Sequence, residues 1–335
     1  MAAAPEISVV IPVYGSATIL PQLLERIEEA LGPNPGQERY EVILVHDCGP
    51  DRSWPVIVDL ALTRPWLRGI DLRRNAGQHN AIMAGLGLAR GRFIVTMDDD
   101  LQHAPADIPC LVDALRGGAD LCYARFPKKQ HALWKRAGSW FNDIVAQWLL
   151  KKPPGLYLSP FRAFVSGLSD EVRRYTGPFV YLDGLLLQST SRIAVVPVEH
   201  HPRLDGRSGY SLRKLVSLWL QMATSFSIVP LRLVSLAGAS ASCFAFLMAV
   251  LVMVEKFRNP GLAVGWTSLI VVILFMGGMQ LLALGAIGEY IGRVLLNINM
   301  RPQYVVRCVT GGESRTPDHG LRPPATETRS ECQKA

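Results

Sequence analysis

"RFIVTMDDDLQHAP", residues 92–105, joins a run of apolar and β-branched residues directly to three aspartates, Asp98, Asp99 and Asp100. The run predicts a buried strand over 92–98. Neighbouring carboxylates repel one another unless a cation lies among them. The stretch therefore predicts a strand whose carboxyl end carries a negatively charged binding site.

Outward from this stretch, strands and helices alternate. "ISVVIPVY" (7–14) is a β-branched run, too short for a helix and apolar on both faces, as expected of a strand in a parallel sheet. Similar patterns predict further strands at 40–47 and 67–74, and helices at 18–30, 53–64 and 78–90. This alternation indicates an α/β fold in which helices cover both faces of a parallel sheet.

Asp47 and the three aspartates each lie at the carboxyl end of a predicted strand, the edge where such sheets bind ligands. Asp98 and Asp100 share an orientation in extended backbone, and oxygen ligands of this kind suit Mg²⁺ or Mn²⁺ together with a diphosphate. One aspartate, Asp99 above all, could instead cap the helix that begins near Pro105. Both alternatives stay open at this point.

Several other classes of ligand are excluded or disfavoured. No GxxxxGK[ST] is present and no GxGxxG follows the first strand, so the usual ATPase and dinucleotide-binding patterns are missing. The net charge of +7 gathers near the apolar segment, which favours anionic lipid over nucleic acid as the partner. Six cysteines without a CxxC pair predict free thiols in a reducing compartment.

The apolar surplus of the chain falls late in the sequence. Residues 233–254 and 262–287 carry no charged side chain and are long enough to cross a bilayer as helices, although two buried core helices are the alternative. Their short link predicts a hairpin with both flanks on one side of the membrane. Basic residues on those flanks predict that this side is cytoplasmic, and the start of the chain predicts no signal peptide.

The remaining segments complete the predicted organisation. A cytosolic domain spans 1–210, and 211–229 has the amphipathic pattern of a helix in the membrane interface, or of one packed on another subunit. The membrane hairpin fills 230–292, a cytosolic segment follows at 293–309, and 310–335 has the composition of a disordered tail.

Four blocks carry a family resemblance: "VVIPVY", "VILVHDCGPDRS", "RRNAGQHNAIMAGLGLARGRFIVTMDDDLQHAPADIP" and "AIGEYIGRVLLNINMRPQY". Over roughly residues 5–308 the chain resembles the polyprenyl-phosphate glycosyltransferases of family 2. The resemblance implies a GT-A catalytic domain with a Rossmann-like, mostly parallel sheet, followed by an interfacial helix and a two-helix transmembrane hairpin. It also implies a nucleotide-sugar donor, expected to be a UDP-sugar, a polyprenyl phosphate acceptor, Mg²⁺ or Mn²⁺, a homotetramer, and the bacterial inner membrane as location.

The same resemblance assigns roles by position. Asp98 and Asp100 would bind the metal and face the diphosphate, with Arg125 as a further catalytic residue. Asp183 is added as a catalytic candidate because of its own surroundings, since it is a single acid among apolar residues. The expected contacts of the nucleotide sugar are Pro12, Tyr14, Asp47, Asn75, Gln78, Asp99 and Gln102. Those of the acceptor phosphate are Arg162, Arg203, Arg207, Ser208 and Tyr210.

Some positions depart from the family pattern. Relatives often read Asp-Asp-Gly-Ser where this chain has His46 to Gly49, and an Asp usual before the family arginine is Leu156. The identity of the donor is therefore less constrained than the class of reaction. For Asp183 two roles stay open, a general base and the cap of a helix over 184–192.

The expected chemistry is a single displacement that inverts the anomeric carbon. The acceptor phosphate is already largely anionic at pH 7, so it needs positioning more than deprotonation. Two other functions are weighed against transfer: a membrane protein that binds a nucleotide or a lipid-linked sugar without chemistry, and a processive polysaccharide synthase. The intact D-x-D disfavours the first, and the absence of a QxxRW block disfavours the second.

Overall fold

The computed structural model describes residues 4–34, 39–126, 153, 156–178, 180–198, 229–258, 265–299 and 302–311. The chain divides into two compact units, residues 1–209 with 301–335, and residues 210–300. The predicted acceptor contacts Arg203, Arg207, Ser208 and Tyr210 lie outside the described residues. So do the predicted interfacial helix up to residue 228 and the predicted tail from residue 312.

Four parallel strands form the centre of the sheet in the first unit. They are β1 (Ile7–Val13), β2 (Tyr40–His46), β3 (Leu67–Leu72) and β4 (Phe93–Thr96), in the spatial order β4-β1-β2-β3. Nearly every residue in them is buried, because helices cover both faces. The four predicted strands are confirmed, each one to three residues shorter than predicted at its ends.

The helices of this unit alternate with the strands as predicted. They are α1 (Leu20–Leu31), α2 (Ser53–Thr63), α3 (Gln78–Leu86), a 3₁₀ turn (Pro105–Asp107), α4 (Ile108–Arg116), α5 (Ser166–Arg173) and α6 (Leu182–Ser189). In α1 the apolar side chains at helical spacing, such as Leu20, Leu24 and Ile27, are buried against the sheet. The predicted extension of α3 to residue 90 is wrong: the helix ends with Gly87 at its cap, and the Leu88 N–H bonds to the Gly85 carbonyl three residues back, in a tighter turn.

Four further strands widen the sheet, and two of them run against the rest. They are β5 (Leu121–Arg125), β6 (Arg162–Val165), β7 (Ile193–Pro197) and β8 (Val306–Thr310). Among the described residues the order is β7-β5-β6-β4-β1-β2-β3-β8, with β6 antiparallel to β4 and β5, and β8 antiparallel to β3. The sheet is therefore mixed. Neither antiparallel strand was predicted, and β8 follows the whole second unit in sequence.

The amino-terminal edge of the sheet holds a buried ion-pair network. The Glu41 carboxylate accepts hydrogen bonds from the Ser8 hydroxyl (2.7 Å), the Arg90 backbone N–H (2.7 Å) and the Arg90 guanidinium (3.1 Å). Arg68, also buried, lies 3.5 Å from the same carboxylate and donates to the Leu88 carbonyl at 2.8 Å. Each charged group of this network therefore has an oppositely charged partner within the same edge.

The second unit consists of two long helices, α7 (Val229–Arg258) and α8 (Trp266–Ile298). Both expose large apolar side chains, including Phe246, Phe257 and Leu281, which are 72%, 84% and 71% exposed. One helical stretch among the described residues, Phe275–Leu296, is long and apolar enough to cross a membrane, while Val234–Met248 is apolar but shorter. The two predicted helices are present. Only the later one has a stretch that is long and apolar enough to cross a membrane, and that stretch is displaced from the predicted 262–287.

The cysteines differ from prediction at one position. Cys48, Cys110, Cys122 and Cys243 are free, but Cys308 on β8 is disulfide-bonded. The prediction of six free thiols is therefore wrong at Cys308. The sequence gave no sign of this bond, because Cys308 is not part of a CxxC motif.

Candidate active site

The loops that follow β1, β2, β3 and β4 meet at the carboxyl edge of the sheet, where the sequence predicted a site. Pro12 lies near the end of β1, and Tyr14 follows it with 57% of its surface exposed. Asp47 follows β2, and Asn75 lies in the loop after β3. Asp98, Asp99, Asp100 and Gln102 follow β4 and are partly exposed. The fold thus brings together the predicted donor contacts.

Asp99 holds the loop after β1. Its Oδ2 accepts the backbone N–H of Tyr14 at 3.1 Å, and the Ser16 side chain also donates to the carboxylate. Burial raises the pKa of Asp99 above its usual range. Asp99 therefore links two loops of the site and does not cap the helix after Pro105, where no side-chain cap is present.

Asp47 holds the loop after β3 in a similar way. Its Oδ1 accepts the N–H of Ala76 at 2.6 Å and its Oδ2 accepts the N–H of Gly77 at 2.9 Å, while the Asn75 amide donates to its carbonyl at 3.2 Å. The carboxylate is 4% exposed, and burial raises its pKa while the two N–H groups lower it. Contact between Asp47 and a nucleobase stays a prediction.

Asp51 is a third carboxylate that joins loops, and it was not predicted. It accepts the Ala17 N–H at 2.8 Å and the Ser53 hydroxyl at 2.7 Å, and that hydroxyl accepts the Ser16 N–H at 3.2 Å. Although burial acts to raise it, the hydrogen bonds from Ser53 and Ala17 hold the pKa of Asp51 below its usual value. The only signal in the sequence was its place in the "VILVHDCGPDRS" block.

Asp98 and Asp100 are placed by a turn in which Leu101 has a φ of 58°. The Gln78 amide at the start of α3 donates to Asp98 Oδ1 at 2.6 Å, and Asp100 Oδ1 accepts the Gln102 N–H at 3.1 Å. His103 accepts the Asp98 N–H at 3.2 Å, so that the imidazole also supports this turn. Gln78 and Gln102 thus lie beside the two aspartates, and their contact with the nucleotide sugar stays a prediction.

The two aspartates fit a divalent cation that is shared with a diphosphate. No group of three or more histidine, cysteine, aspartate or glutamate side chains within metal-binding range occurs among the described residues. Mg²⁺ does not require one, since it is commonly bound by one or two carboxylates, phosphate oxygens and waters. Asp98 and Asp100 supply such a donor set.

A buried polar cluster contacts Thr96, the last residue of β4, two residues before Asp98. Arg162 at the start of β6 forms an ion pair with Asp183 of α6 and donates from Nε to the Thr96 hydroxyl at 3.1 Å. The Tyr123 hydroxyl donates to the same Asp183 oxygen at 2.9 Å. Sheet register sets this cluster, because Tyr123 of β5 and Thr96 of β4 are the two cross-strand partners of Arg162.

This cluster bears on two predicted roles. The Arg162 side chain is 1% exposed, so its assignment to the acceptor phosphate stays a prediction that the packing does not favour. Although burial acts to lower it, the neighbouring Asp183 carboxylate raises the pKa of Arg162. The residue at the cap of α6 is Tyr181, without a side-chain cap, and so Asp183 is an ion-pair partner and not the predicted cap. The general-base role stays untested.

Arg125 is the exposed last residue of β5. Both β4 and β5 are antiparallel to β6, so their carboxyl ends lie at the same edge of the sheet. The predicted catalytic arginine is therefore on the edge that carries Asp98, within the same unit.

His79 is a residue that the sequence interpretation passed over, although it stands in the quoted "GQHNAIMAG" block. Its Nδ1 is buried and has no hydrogen-bond partner among the described residues, and its ring packs edge-on against Tyr181 with centroids 5.3 Å apart. Burial lowers the pKa of His79 to about 4, against an opposing effect of Asp183. The imidazole is therefore neutral at pH 7.

The model of glycosyl transferase family 2 matches residues 8–164. Undecaprenyl-phosphate 4-deoxy-4-formamido-L-arabinose transferase of Photorhabdus laumondii is 32% identical over 317 residues, which cover 94% of this chain and 97% of that protein. An uncharacterized glycosyltransferase of Bacillus subtilis is 32% identical over 311 residues, with 92% and 95% covered.

Among solved structures, the chain is similar to glucosyl-3-phosphoglycerate synthase from Mycobacterium tuberculosis, crystallised with Mn²⁺, UDP-glucose and phosphoglyceric acid. The identity is 18% and the TM-score 0.47, over 66% of this chain and 78% of that one.

Proposed function

The chain belongs to glycosyltransferase family 2, and on that basis we propose that it moves one sugar from a UDP-sugar to polyprenyl phosphate. The observation that carries the proposal is the placement of Asp98 and Asp100 at the carboxyl edge of the sheet, among four loops joined by Asp47, Asp51 and Asp99. The named relative transfers a sugar to undecaprenyl phosphate, and its match to this chain extends over both long helices.

Asp98 and Asp100 would hold Mg²⁺ or Mn²⁺ at the diphosphate of the donor. When bound there, such an ion neutralises charge that develops on the leaving diphosphate. The protein's own part is to keep both carboxylates in place: Gln78 fixes Asp98, and the Leu101 turn presents Asp100. The loops with Pro12, Tyr14, Asp47 and Asn75 would receive the nucleoside.

The transfer itself is a displacement at the anomeric carbon. An oxygen of the acceptor phosphate forms the new C1–O bond while the bond from C1 to the diphosphate oxygen breaks, and UDP leaves with the electron pair. The configuration at C1 is inverted because one displacement occurs. The acceptor is already anionic at pH 7, so no residue has to remove a proton, and positioning by cations matters most.

Arg125 would meet the two anionic substrates, because it is exposed at the carboxyl end of β5. We assign the acceptor phosphate to Arg203, Arg207, Ser208 and Tyr210 by resemblance. Asp183 and Arg162 then act together as a buried support for β4 and its aspartates, since their pair reaches Thr96 two residues before Asp98. In this assignment Asp183 positions neighbouring groups and is not a general base.

The two long helices support a reaction at a membrane. Their exposed apolar side chains have the character of a lipid-facing surface, so α7 and α8 would form the hairpin, with the catalytic unit on the cytoplasmic face of the bacterial inner membrane. A homo-oligomer, a tetramer by resemblance, completes the proposal.

The test is product formation by the purified protein in detergent. Undecaprenyl phosphate, Mg²⁺ or Mn²⁺ and a panel of radiolabelled nucleotide sugars would be supplied to the wild type, to Asp100→Ala and to Asp113→Ala, an exposed aspartate on α4. We expect labelled lipid with one donor, lost in Asp100→Ala or with EDTA and kept in Asp113→Ala.

Two results would overturn the proposal. Nucleotide binding without labelled lipid from any donor would identify a binding protein. A product that carries many sugars on one lipid, seen by mass spectrometry, would identify a processive synthase.

A further inference from the structure

The C-terminal segment that returns from the second unit lies along the loops of the donor site. β8 pairs with β3 in antiparallel fashion, with Asp71 opposite Cys308. Just before β8, the Val305 carbonyl accepts the N–H of Arg73 at 2.8 Å, and the Pro302 carbonyl accepts a hydrogen bond from the Arg74 guanidinium at 3.3 Å. Arg73 and Arg74 begin the loop that Asp47 holds at Ala76 and Gly77.

A second connection runs from β8 to the loop after β2 through buried polar groups. Arg307 of β8 lies 3.4 Å from Asp71 Oδ2, close enough for an ion pair but not aligned as a hydrogen bond. The other oxygen, Asp71 Oδ1, lies 2.7 Å from His46 Nδ1, and the Gly49 N–H donates to His46 Nε2 at 3.1 Å. Asp71 is 1% exposed and His46 is 7% exposed.

The direction of these hydrogen bonds defines the tautomer of the His46 imidazole. Because Nε2 accepts the Gly49 N–H, the ring proton is on Nδ1 and is donated to Asp71. The imidazole therefore transmits the position of Asp71 to the loop of Asp47 and Gly49. That loop has little freedom: Cys48 has a φ of 52°, and a Cβ on Gly49 would approach the Gly15 nitrogen to 2.9 Å.

From these contacts we infer that the C-terminal strand is a working part of the donor site. Arg307, Asp71 and His46 act as positioning residues that hold the loop after β2, and with it Asp47, in the shape that binds the nucleotide. None of the three needs to touch the substrate. The inference rests on the proposed function, since it assumes that these loops bind a UDP-sugar.

Variants of His46 separate the two halves of the connection. Asn can replace the Nδ1 donor toward Asp71 but cannot reach Gly49, while Gln can present an acceptor near Gly49 but no donor to Asp71. We expect His46→Asn and His46→Gln each to weaken UDP binding, measured by calorimetry, by about five- to thirtyfold. Arg307→Gln should weaken it by roughly fivefold and Arg307→Lys should restore most of it.

Kinetics distinguish positioning from a general loss of structure. For Arg307→Gln we expect a raised KM for the donor, with kcat and the KM for polyprenyl phosphate within about twofold of the wild type. Arg116→Gln is the matched control, because Arg116 is also a half-exposed arginine in an ion pair, with Glu6 at 2.5 Å, near the opposite edge of the sheet. The control should leave all three parameters unchanged.

The double variant Arg307→Gln with His46→Asn completes the test. If the residues act through one connection, the two effects on UDP affinity combine to less than their product. UDP binding at wild-type strength in Arg307→Gln and in both His46 variants would overturn the inference while leaving the transferase intact. Failure of the wild type to bind any nucleotide would instead overturn the proposed function.

Discussion

The two edges of the sheet both contain carboxylates that are held by neighbouring groups, but the kinds of groups differ. At the amino-terminal edge, Glu41 faces the cationic side chains of Arg68 and Arg90. At the carboxyl edge, Asp47 and Asp99 are met by backbone N–H groups and a hydroxyl. Hydrogen bonds of this kind fix geometry while leaving negative charge at the edge. Cationic side chains therefore balance the first edge, whereas the second keeps the negative charge that the proposed cation would need.

The largest effect expected from this difference is on activity. Asp98→Asn keeps the size of the side chain but removes its charge, so the rate of transfer should fall by about a thousandfold, as for loss of a key electrostatic contact. Thermal stability should stay within a few degrees, because hydrogen bonds of Asp47, Asp51 and Asp99 join the loops at this edge. Radiolabel transfer and a melting curve measure the two, with Asp170→Asn on the exposed face of α5 as control.

If Asp98→Asn lowered the melting temperature but kept the rate of sugar transfer, the proposed difference between the two edges would be contradicted. If Asp98→Asn unfolds the protein, the aspartate is structural in the same sense as Glu41.

The opposite pattern is expected at the amino-terminal edge. Glu41→Gln leaves the buried Arg68 without its carboxylate, which should lower the free energy of unfolding by about 3 kcal/mol and the Tm by roughly 5–10 °C. Residual folded protein should bind UDP as the wild type does. The control is Glu6→Gln, whose ion pair with Arg116 is exposed and should contribute less than about 1 kcal/mol.

Asp47→Asn sharpens the comparison within the carboxyl edge. An Asn oxygen can accept only one of the N–H groups of Ala76 and Gly77, so the loop after β3 should shift and donor KM should rise about tenfold. Removing a buried charge offsets the lost hydrogen bond, so the stability should change by less than about 1 kcal/mol. Calorimetric UDP titration and chemical denaturation would show whether binding and stability separate in this way.

Much of the central sheet could be predicted from sequence, because each strand is a short apolar run ended by a charge or a turn. The strand at 92–98 is an example, since β4 occupies Phe93–Thr96. The direction of β6 and the presence of β8 could not be predicted. Their partners are set by contacts distant in sequence, as between Asp71 and Cys308, and a strand's own pattern does not encode its neighbour.

In the candidate site, too, some features could be predicted from the sequence and others could not. The location of Asp47 and of Asp98 to Asp100 followed from strand ends alone, and the structure places them there. The bond of Asp99 to Tyr14 and the pair of Arg162 with Asp183 depend on how loops and strands fold together, so no spacing could indicate them. His79 was missed because a lone histidine in a helical block gives no sign of burial.

The smallest predicted effect concerns His79 and the free energy of unfolding at acidic pH. Its folded pKa of about 4 is below the usual value near 6.5, so between these pH values the unfolded chain binds the proton more readily. The His79 contribution to stability is therefore lost as pH falls from about 6.5 to about 4. The loss should be of order 1–3 kcal/mol, since the side chain is partly exposed although Nδ1 is buried.

Asp47 and Asp99 act in the opposite direction, because their raised pKa values favour proton uptake in the folded state as the pH falls. The difference between wild type and His79→Gln isolates the histidine: denaturation curves at pH 7 and pH 4.5 should show a smaller acid loss in the variant. Equal losses would mean that His79 is solvated and takes up its proton in place. A positive charge on His79 would then cost the folded state little free energy. In this respect the carboxyl edge would resemble the amino-terminal edge, where charged groups are paired around Glu41.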